Sequence, residues 1–194
     1  DKKKIFTVNP QKFVFLSKIN KKKKSKKIVF FSELSEGINK KKFLKDSEYN
    51  LKGFSNQKER TKIVLEEFLL AIKNIKAKFH LLLRIHPKED INLYKEYLSF
   101  FDSISDTGSN IKILSDCYLA VGLTSNVLAE AAAMRLNVLS ITPKKSEFSW
   151  INSKYSDRIH HVCDRRNLSK FFKNLPTEQK FLPIENDKFY LLDL

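Results

Sequence analysis

The chain has 194 residues, of which 42% are hydrophobic and 30% charged, and its formal net charge is +15. This composition is typical of one folded domain with a sizeable core, and it excludes a disordered chain. No apolar run approaches the roughly 18 residues that a membrane-spanning helix needs. The opening, DKKKIFTVNP, lacks both an initiator Met and a signal sequence. We therefore expect a fragment or a processed chain in the cytoplasm.

Residues 1–27 are predicted to form a basic arm or linker with two short β-like pieces, at 4–8 and 12–18. From residue 28 onward, short apolar runs alternate with stretches of helical periodicity. The polar segment 35–59 is long enough to be either a lid or disordered. The predicted strands cover residues 27–34, 79–85, 110–114, 117–122, 137–142 and 158–162, and the predicted helices cover 60–78, 94–101, 125–135 and 167–175.

Strands that alternate with amphipathic helices predict right-handed crossovers and a parallel sheet with both faces covered. The predicted fold class is therefore α/β, a Rossmann-like doubly wound domain over residues 28–175. We expect residues 176–194 to be a C-terminal tail that packs on this domain. Sheets of this kind bind ligands beyond the carboxyl ends of their strands.

The cysteines, histidines and lysines limit which ligands and reactions we expect of this chain. Cys117 and Cys163 lack metal-ligand spacing, so we expect reduced thiols. His160 and His161 are neighbours on a strand and should point to opposite faces, so we expect no metal cofactor. The lysine runs of this basic chain could bind phosphate groups of a nucleotide, of an anionic lipid or of another polyanion. The alternative is that they are simply solvated loops. We expect no sequence-specific nucleic-acid binding.

Candidate ligand-binding residues follow three of the predicted strands, and in a parallel sheet all three loops open at the same edge. These residues are Ser32 and Glu33 after the first strand, Arg84, His86 and Pro87 after the second, and Gly122, Thr124, Ser125 and Asn126 after the fourth.

The loop Gly122–Asn126 has the chemistry of an anion site. A helix that begins near Ser125 directs free N–H groups and the positive end of its dipole toward the edge, where the Thr124 and Ser125 hydroxyls add donors. The alternative is ordinary helix capping, since Ser, Thr and Asn are the preferred N-cap residues. The chain contains neither GxGxxG nor GxxxxGK[ST], so an NAD fingerprint and a P-loop are excluded.

His86 and Glu130 complete the predicted site. His86 lies at a strand terminus between Arg84 and the rigid Pro87, and its imidazole could donate to a phosphate or to a leaving group. Otherwise it is a half-buried histidine at a strand end. Glu130 lies one helical turn after Asn126 and could accept hydrogen bonds from ribose hydroxyls, or it is simply a surface glutamate.

Two segments, LLLRIHPKED (81–90) and LSDCYLAVGLTSNVLAEAAAMRLNVLSI (114–141), resemble the C-terminal, nucleotide-sugar-binding half of GT-B glycosyltransferases. The pattern is most similar to that of bacterial sialyltransferases and polysialyltransferases, in which a His-Pro motif and a Ser/Thr pair bind the CMP part of CMP-sialic acid. His86-Pro87 matches the first motif and Thr124-Ser125 the second. Glu130 matches the helix glutamate of capsule and teichoic-acid polymerases and of GT-B UDP-GlcNAc 2-epimerases.

The resemblance implies a metal-independent transferase with a nucleotide-sugar donor and a glycan or glycolipid acceptor. It also implies that an N-terminal acceptor domain carrying an acidic catalytic base is missing from this chain. The glycine that usually follows the glutamate helix is replaced here by Arg135-Leu136-Asn137. We expect the lysine-rich arm to hold such an enzyme on the inner face of an anionic membrane.

Three functions remain open at this point. The first is the donor-binding half of a glycosyltransferase for surface polysaccharide or lipopolysaccharide, with CMP-sialic acid as a candidate donor. The second is a UDP-sugar 2-epimerase or hydrolase on the same fold. The third is a basic module that binds polyanions without catalysis.

Overall fold

The computed structural model describes residues 11–19, 25–34, 47–75, 78–151 and 155–176. The strands are β1 (Lys27–Phe31), β2 (His80–Arg84), β3 (Ser103–Ser105), β4 (Leu119–Gly122), β5 (Asn137–Ile141) and β6 (His160–Val162). The α-helices are α1 (Gln11–Ser17), α2 (Arg60–Ile72), α3 (Asn110–Ser115), α4 (Asn126–Ala133) and α5 (Arg165–Lys173). Three 3₁₀ helices cover Ile91–Phe100, Lys145–Trp150 and Ser156–Arg158.

The six strands form one sheet in the order β3-β2-β1-β4-β5-β6, and every neighbouring pair is parallel. Phe30 in the central strand lies opposite Leu83 of β2 and Val121 of β4. The chain winds outward in one direction from β1 to β3 and in the other from β4 to β6. This confirms the predicted Rossmann-like doubly wound fold, and it puts the switch point between β1 and β4.

Each face of the sheet has its own hydrophobic core because successive strand residues point to opposite sides. On one face Ile28 and Phe30 pack with α2 and α5, and on the other Val29 and Phe31 pack with α4. The small alanines of α4 are buried and allow this helix to lie close to the sheet. The carboxyl edge at the switch point therefore lies between two well-packed layers.

The β-like piece predicted at residues 12–18 is wrong, because these residues form α1. Leu16 is fully buried in the α4-side core, and Phe13, one turn earlier, packs on Tyr155 with ring centroids 5.5 Å apart. Burial of this helical face decides the conformation of a short apolar run that either structure could accommodate. The other β-like piece, at 4–8, lies outside the described residues.

The strand predicted at residues 110–114 is also wrong, because this stretch forms α3. The strand that follows β2 along the chain is instead β3, which is shorter and more polar than the predicted strand. Among the described strands it pairs with β2 alone, at the edge of the sheet, and Ile104 remains partly exposed. An edge strand needs less apolar sequence than a central one, which is why the pattern did not reveal it.

The turn after α4 does without the glycine that commonly ends a helix there. Arg135 adopts a φ of 55°, in the left-handed region. Its N–H donates to Ala132 O at 3.0 Å, and the Leu136 N–H donates to Ala131 O at 3.1 Å. These bonds satisfy the last carbonyls of α4, so Arg135 fills the role that glycine usually has.

Part of the polar segment 35–59 is firmly held on α2. The backbone N–H groups of Lys52 and Gly53 donate to the Glu67 carboxylate at 3.1 and 2.8 Å, and those of Phe54 and Ser55 donate to Glu66 at 2.7 and 2.9 Å. Burial disfavours the ionised form of Glu67, but hydrogen bonds from Arg165 and from these N–H groups outweigh it and lower the pKa. Residues 35–46 lie outside the described residues.

Two further features concern the cysteines and the length of the helices. Cys117 and Cys163 are both free thiols in the structure; Cys117 is buried, whereas Cys163 is only half-buried. Within the described ranges, no helix has the length and apolar character needed to cross a membrane.

Gly53 and Gly108 form a matched pair for testing the attachment of this segment. Both have positive φ, 70° and 87°, but a Cβ at Gly53 would lie 2.2 Å from Glu66 Oε2, whereas one at Gly108 meets nothing within 4 Å. We expect Gly108→Ala to lower the free energy of unfolding by about 1 kcal/mol. We expect Gly53→Ala to cost about 2 kcal/mol more, since Glu66 must release two backbone N–H groups. Equal losses in urea titrations of the two variants would contradict this attachment.

Candidate functional site

The loops after β1 and β4 meet directly at the switch point. The Glu33 carboxylate accepts a hydrogen bond from the Thr124 backbone N–H at 2.7 Å and another from the Thr124 hydroxyl at 2.6 Å. The sequence predicted that donors on Thr124 would face the carboxyl edge. The structure shows that these donors already have an anionic acceptor, supplied by the chain itself.

A buried guanidinium joins the same cluster from the first turn of α2. Arg60 is fully buried and donates to Glu147 Oε2 from Nε at 2.8 Å and from Nη2 at 2.6 Å. It also donates from Nη2 to Thr124 Oγ1 at 3.2 Å and from Nη1 to Glu33 Oε1 at 3.3 Å. The Trp150 ring covers it, with the guanidinium carbon 5.3 Å from the ring centroid. Arg60 therefore binds three separate segments to one another.

The members of the cluster differ in their exposure to solvent. The side chains of Arg60 and Glu147 are 0% and 2% exposed, whereas that of Glu33 is 19% exposed. Burial raises the pKa of Glu147, and the positive charge of Arg60 opposes this shift. With all three groups ionised, the cluster has one cation and two carboxylates and is net negative.

The α4 N-terminus begins beside this cluster. Ser125 is its N-cap, and the Ser125 hydroxyl accepts from the Val127 N–H at 3.4 Å, while Asn126 at the first helical position is exposed. Ser125 thus has the capping contact that the alternative interpretation predicted. Gly122 lies where a Cβ would be 3.3 Å from Phe31 O and 3.5 Å from Leu128. A side chain there would press on the backbone of β1, so internal packing alone favours a small residue at Gly122.

The loop after β2 is tied to the loop after β1 through Ser32. The His86 backbone N–H donates to the Ser32 hydroxyl at 2.8 Å, and this hydroxyl donates to Glu89 at 2.5 Å. The His86 ring accepts from the Lys88 N–H through Nδ1 at 3.2 Å, so the neutral ring has its proton on Nε2. His86 is half-buried and Pro87 is exposed. His86 is consequently oriented as a donor at the carboxyl edge.

Arg84 lies on the α3 side of the sheet and its guanidinium is engaged there. It donates to Asn110 Oδ1 at 3.2 Å, to Ser105 Oγ at 3.0 Å, to Thr107 O at 2.5 Å and to Gly108 O at 2.7 Å. Burial lowers the pKa of Arg84, and the charge of Asp106 opposes this shift. Through these contacts Arg84 holds the segment between β3 and α3 in place.

Glu130 points away from the switch point and toward α1. Its carboxylate pairs with Lys12 Nζ at 2.5 Å, and its side chain is 12% exposed. This pair joins α4 to α1. Of the predicted residues, the structure thus brings Glu33 and Thr124 into direct contact, places Ser32 and His86 in a second contact, and gives Arg84 and Glu130 partners elsewhere.

Three residues of the site, Arg60, Glu147 and Glu89, were not predicted from the sequence. One signal was available for Arg60: a cation in the first turn of a helix opposes the helix dipole and is unusual without an acidic partner. Glu147 gave no comparable signal, because it is one of many polar residues in a polar stretch. Glu89 lies in the loop after β2, where its carboxylate accepts from the Ser32 hydroxyl and from the Tyr94 hydroxyl, the latter at 3.0 Å.

The histidine pair lies on β6, the edge strand on the opposite side of the sheet from β3. The His160 ring is 5.5 Å from the Phe171 ring and the His161 ring is 4.8 Å from the Phe148 ring, on opposite faces as predicted. Burial lowers the pKa of both rings. Across the part of the chain that the structure describes, His, Cys, Asp and Glu form no group of three or more that could hold a metal ion.

Neither a protein-family model nor a curated protein matches the sequence. Among solved structures, the chain is similar to Thermosulfurimonas dismutans KpsC, a beta Kdo 2,7 transferase, with 17% identity over 80% of this chain and a TM-score of 0.48. It is also similar to S. aureus MnaA in complex with UDP, with 13% identity over 77% of this chain and a TM-score of 0.45. A third similar structure is a variant of the wall teichoic acid polymerase TagF, with 14% identity over 87% of this chain and a TM-score of 0.44. This chain spans 45%, 36% and 39% of those proteins, less than half of each.

The Arg60–Glu147 pair gives a direct test of how the edge is held together. Arg60→Met leaves Glu147 buried without its cation, so we expect the free energy of unfolding to fall by about 3–5 kcal/mol. Arg60→Met with Glu147→Met should recover most of this loss, because no uncompensated charge remains in the interior. Urea unfolding of both variants measures the difference.

The control is Glu48→Gln, which breaks the pair between Lys144 and the largely exposed Glu48. It should cost at most about 1 kcal/mol. A loss this small for Arg60→Met would contradict a structural role for the buried pair.

Proposed function

We propose that the chain is the donor-binding half of a glycosyltransferase that builds surface polysaccharide or lipopolysaccharide, with the nucleotide phosphate bound at the switch point between β1 and β4. One observation carries the proposal. The loops after β1, β2 and β4 are bonded to one another at a single edge, through Ser32 to His86 and through Glu33 to Thr124. A ligand at that edge would contact both predicted motifs together.

The proposed phosphate ligands are the N-terminus of α4 and the donors that precede it. The Thr124 N–H and hydroxyl point into the cluster, and an oxyanion there would gain from the positive end of the helix dipole. The Ser125 hydroxyl continues to accept a hydrogen bond from the Val127 N–H as the N-cap of α4. Gly122 and Asn126 lie at the two ends of this loop; Gly122 is buried and Asn126 is exposed.

His86 is the proposed hydrogen-bond donor to the leaving nucleotide. Because its Nδ1 accepts from the Lys88 N–H, the Nε2–H group is available to donate a hydrogen bond to a phosphate oxygen. Charge builds up on that oxygen as the bond to the sugar breaks, so a donor held there stabilises the transition state more than the ground state. Pro87 limits the backbone freedom of the loop and helps to hold the ring in place.

The donor and the remaining partners follow from the motif resemblance. CMP-sialic acid is the proposed donor, because the His-Pro and Thr-Ser motifs are the pair that sialyltransferases use for CMP. The acceptor is a glycan or glycolipid, presented by an N-terminal domain outside this sequence, and an anionic membrane surface is the proposed location. The proposed phosphate donors are backbone N–H groups, a hydroxyl and an arginine, and the proposal includes no metal.

A calorimetric titration with CMP, CDP, UMP and UDP tests this function. We expect saturable binding of a cytidine nucleotide, weakened about tenfold or more by His86→Ala through the loss of a charge-assisted hydrogen bond. The matched control is His80→Ala, which removes an exposed histidine from the start of the same strand. It should leave the affinity unchanged.

Other outcomes of this titration contradict the proposal in different ways. Selective binding of uridine nucleotides would favour a UDP-sugar 2-epimerase or hydrolase. Equal binding of all four nucleotides that collapses at higher ionic strength would indicate a module that binds polyanions without selectivity.

A further inference from the structure

The proposed phosphate site contains an anion of its own. Both oxygens of the Glu33 carboxylate are used: Oε2 by the Thr124 N–H at 2.7 Å, and Oε1 by the Thr124 hydroxyl at 2.6 Å and by Arg60 Nη1 at 3.3 Å. An N–H group, a hydroxyl and a guanidinium that converge on one oxyanion are also the donors that bind phosphate. A ligand phosphate and the Glu33 carboxylate therefore compete for the same donors.

Glu33 is the member of the cluster that is able to leave. Its side chain is 19% exposed, whereas those of Arg60 and Glu147 are 0% and 2% exposed. It also follows the last residue of β1 by only two positions and lies outside the strand. Rotation of its side chain toward solvent would open a path to Thr124 without disturbing the sheet.

Arg60 would stay in place when Glu33 leaves. Two of its hydrogen bonds go to Glu147, at 2.8 and 2.6 Å, and one goes to Thr124 Oγ1 at 3.2 Å. Arg60 and Glu147 then form a balanced buried pair. The departure of Glu33 also removes one negative charge from the position that the phosphate would take, so the exchange replaces one anion with another.

From this geometry we infer that Glu33 is a built-in competitor that closes the anion site in the unliganded protein. The ligand's phosphate displaces it, and Arg60 becomes a phosphate ligand after the exchange. The inference rests on the proposed function of this edge and adds two roles to it. Arg60 is a binding residue that neither motif contains, and Glu33 sets how strongly an anion must bind in order to enter.

The test uses inorganic phosphate as the probe and the Thr124 amide signal in ¹H–¹⁵N spectra as the readout, at fixed ionic strength. The proteins are the whole 194-residue chain and its Glu33→Gln, Glu33→Ala and Glu59→Gln variants. Glu59→Gln is the control, since it removes a carboxylate next to Arg60 in sequence whose partner is Lys62. Thermal unfolding of each variant shows that the fold is kept.

We expect Glu33→Gln to bind phosphate about tenfold more tightly than the unaltered chain, because the competing charge is lost. Glu33→Ala should bind at least as tightly, and Glu59→Gln should match the unaltered chain. Phosphate binding seen only in the Glu33 variants would also support the inference, since it would show a site closed by this side chain.

Equal or weaker affinity in both Glu33 variants, with phosphate bound by the unaltered chain, would overturn the inference and leave the proposed function standing. A Thr124 signal that phosphate moves in none of the proteins would overturn the inference and the phosphate site together. An equal gain in Glu59→Gln would show that general charge, and not displacement, controls the affinity.

Discussion

The carboxyl edge of this sheet depends on one buried guanidinium. Arg60 begins α2, and its bonds reach Glu33 after β1, Thr124 after β4 and Glu147 in the 3₁₀ helix after β5. A fully buried arginine is costly to desolvate, so it is tolerable only where acceptors surround it. The chain supplies two carboxylates and a hydroxyl, and in doing so it brings together the three segments that surround the switch point. The Glu33 carboxylate that Arg60 draws into this cluster is also the acceptor for the N–H and hydroxyl of Thr124.

The rest of the edge is built by polar contacts between loops rather than by apolar packing. Ser32 joins the loop after β1 to that after β2 through the His86 N–H, and Glu89 holds the Ser32 hydroxyl from the other side. The Glu66 and Glu67 carboxylates bind four successive backbone N–H groups between Lys52 and Ser55 and hold that segment on α2. In each case, a buried carboxylate or hydroxyl satisfies backbone donors that would otherwise be left without partners. The basic chain thus uses its acidic residues to fix loops, while many of its lysines remain on the surface.

Much of the fold could be predicted because it depends on local patterns. The apolar runs of β1, β2, β4 and β5 and the helical period of α2 follow from burial on both faces of a parallel sheet. The pattern failed where burial is partial. The edge strand β3 has a single apolar residue, Ile104, and α1 and α3 are short segments whose conformation is decided by contacts with distant elements. The candidate site followed the same rule: the loops that meet could be predicted from the parallel topology, whereas the partners of Arg84 and Glu130 could not. The Arg60–Glu147 pair spans 87 positions in the sequence, and no local pattern encodes a contact of that range.

The most direct measurement is a crystal structure of the chain bound to a cytidine nucleotide. The central claim is that a phosphate binds at the switch point between β1 and β4. A phosphate oxygen should then lie within about 3 Å of the Thr124 backbone nitrogen, with the His86 ring on the same phosphate. A nucleotide found only at the lysine runs of the sequence, with Glu33 still bonded to Thr124, would contradict the claim. The cluster around Arg60 would then be a structural element and no ligand site.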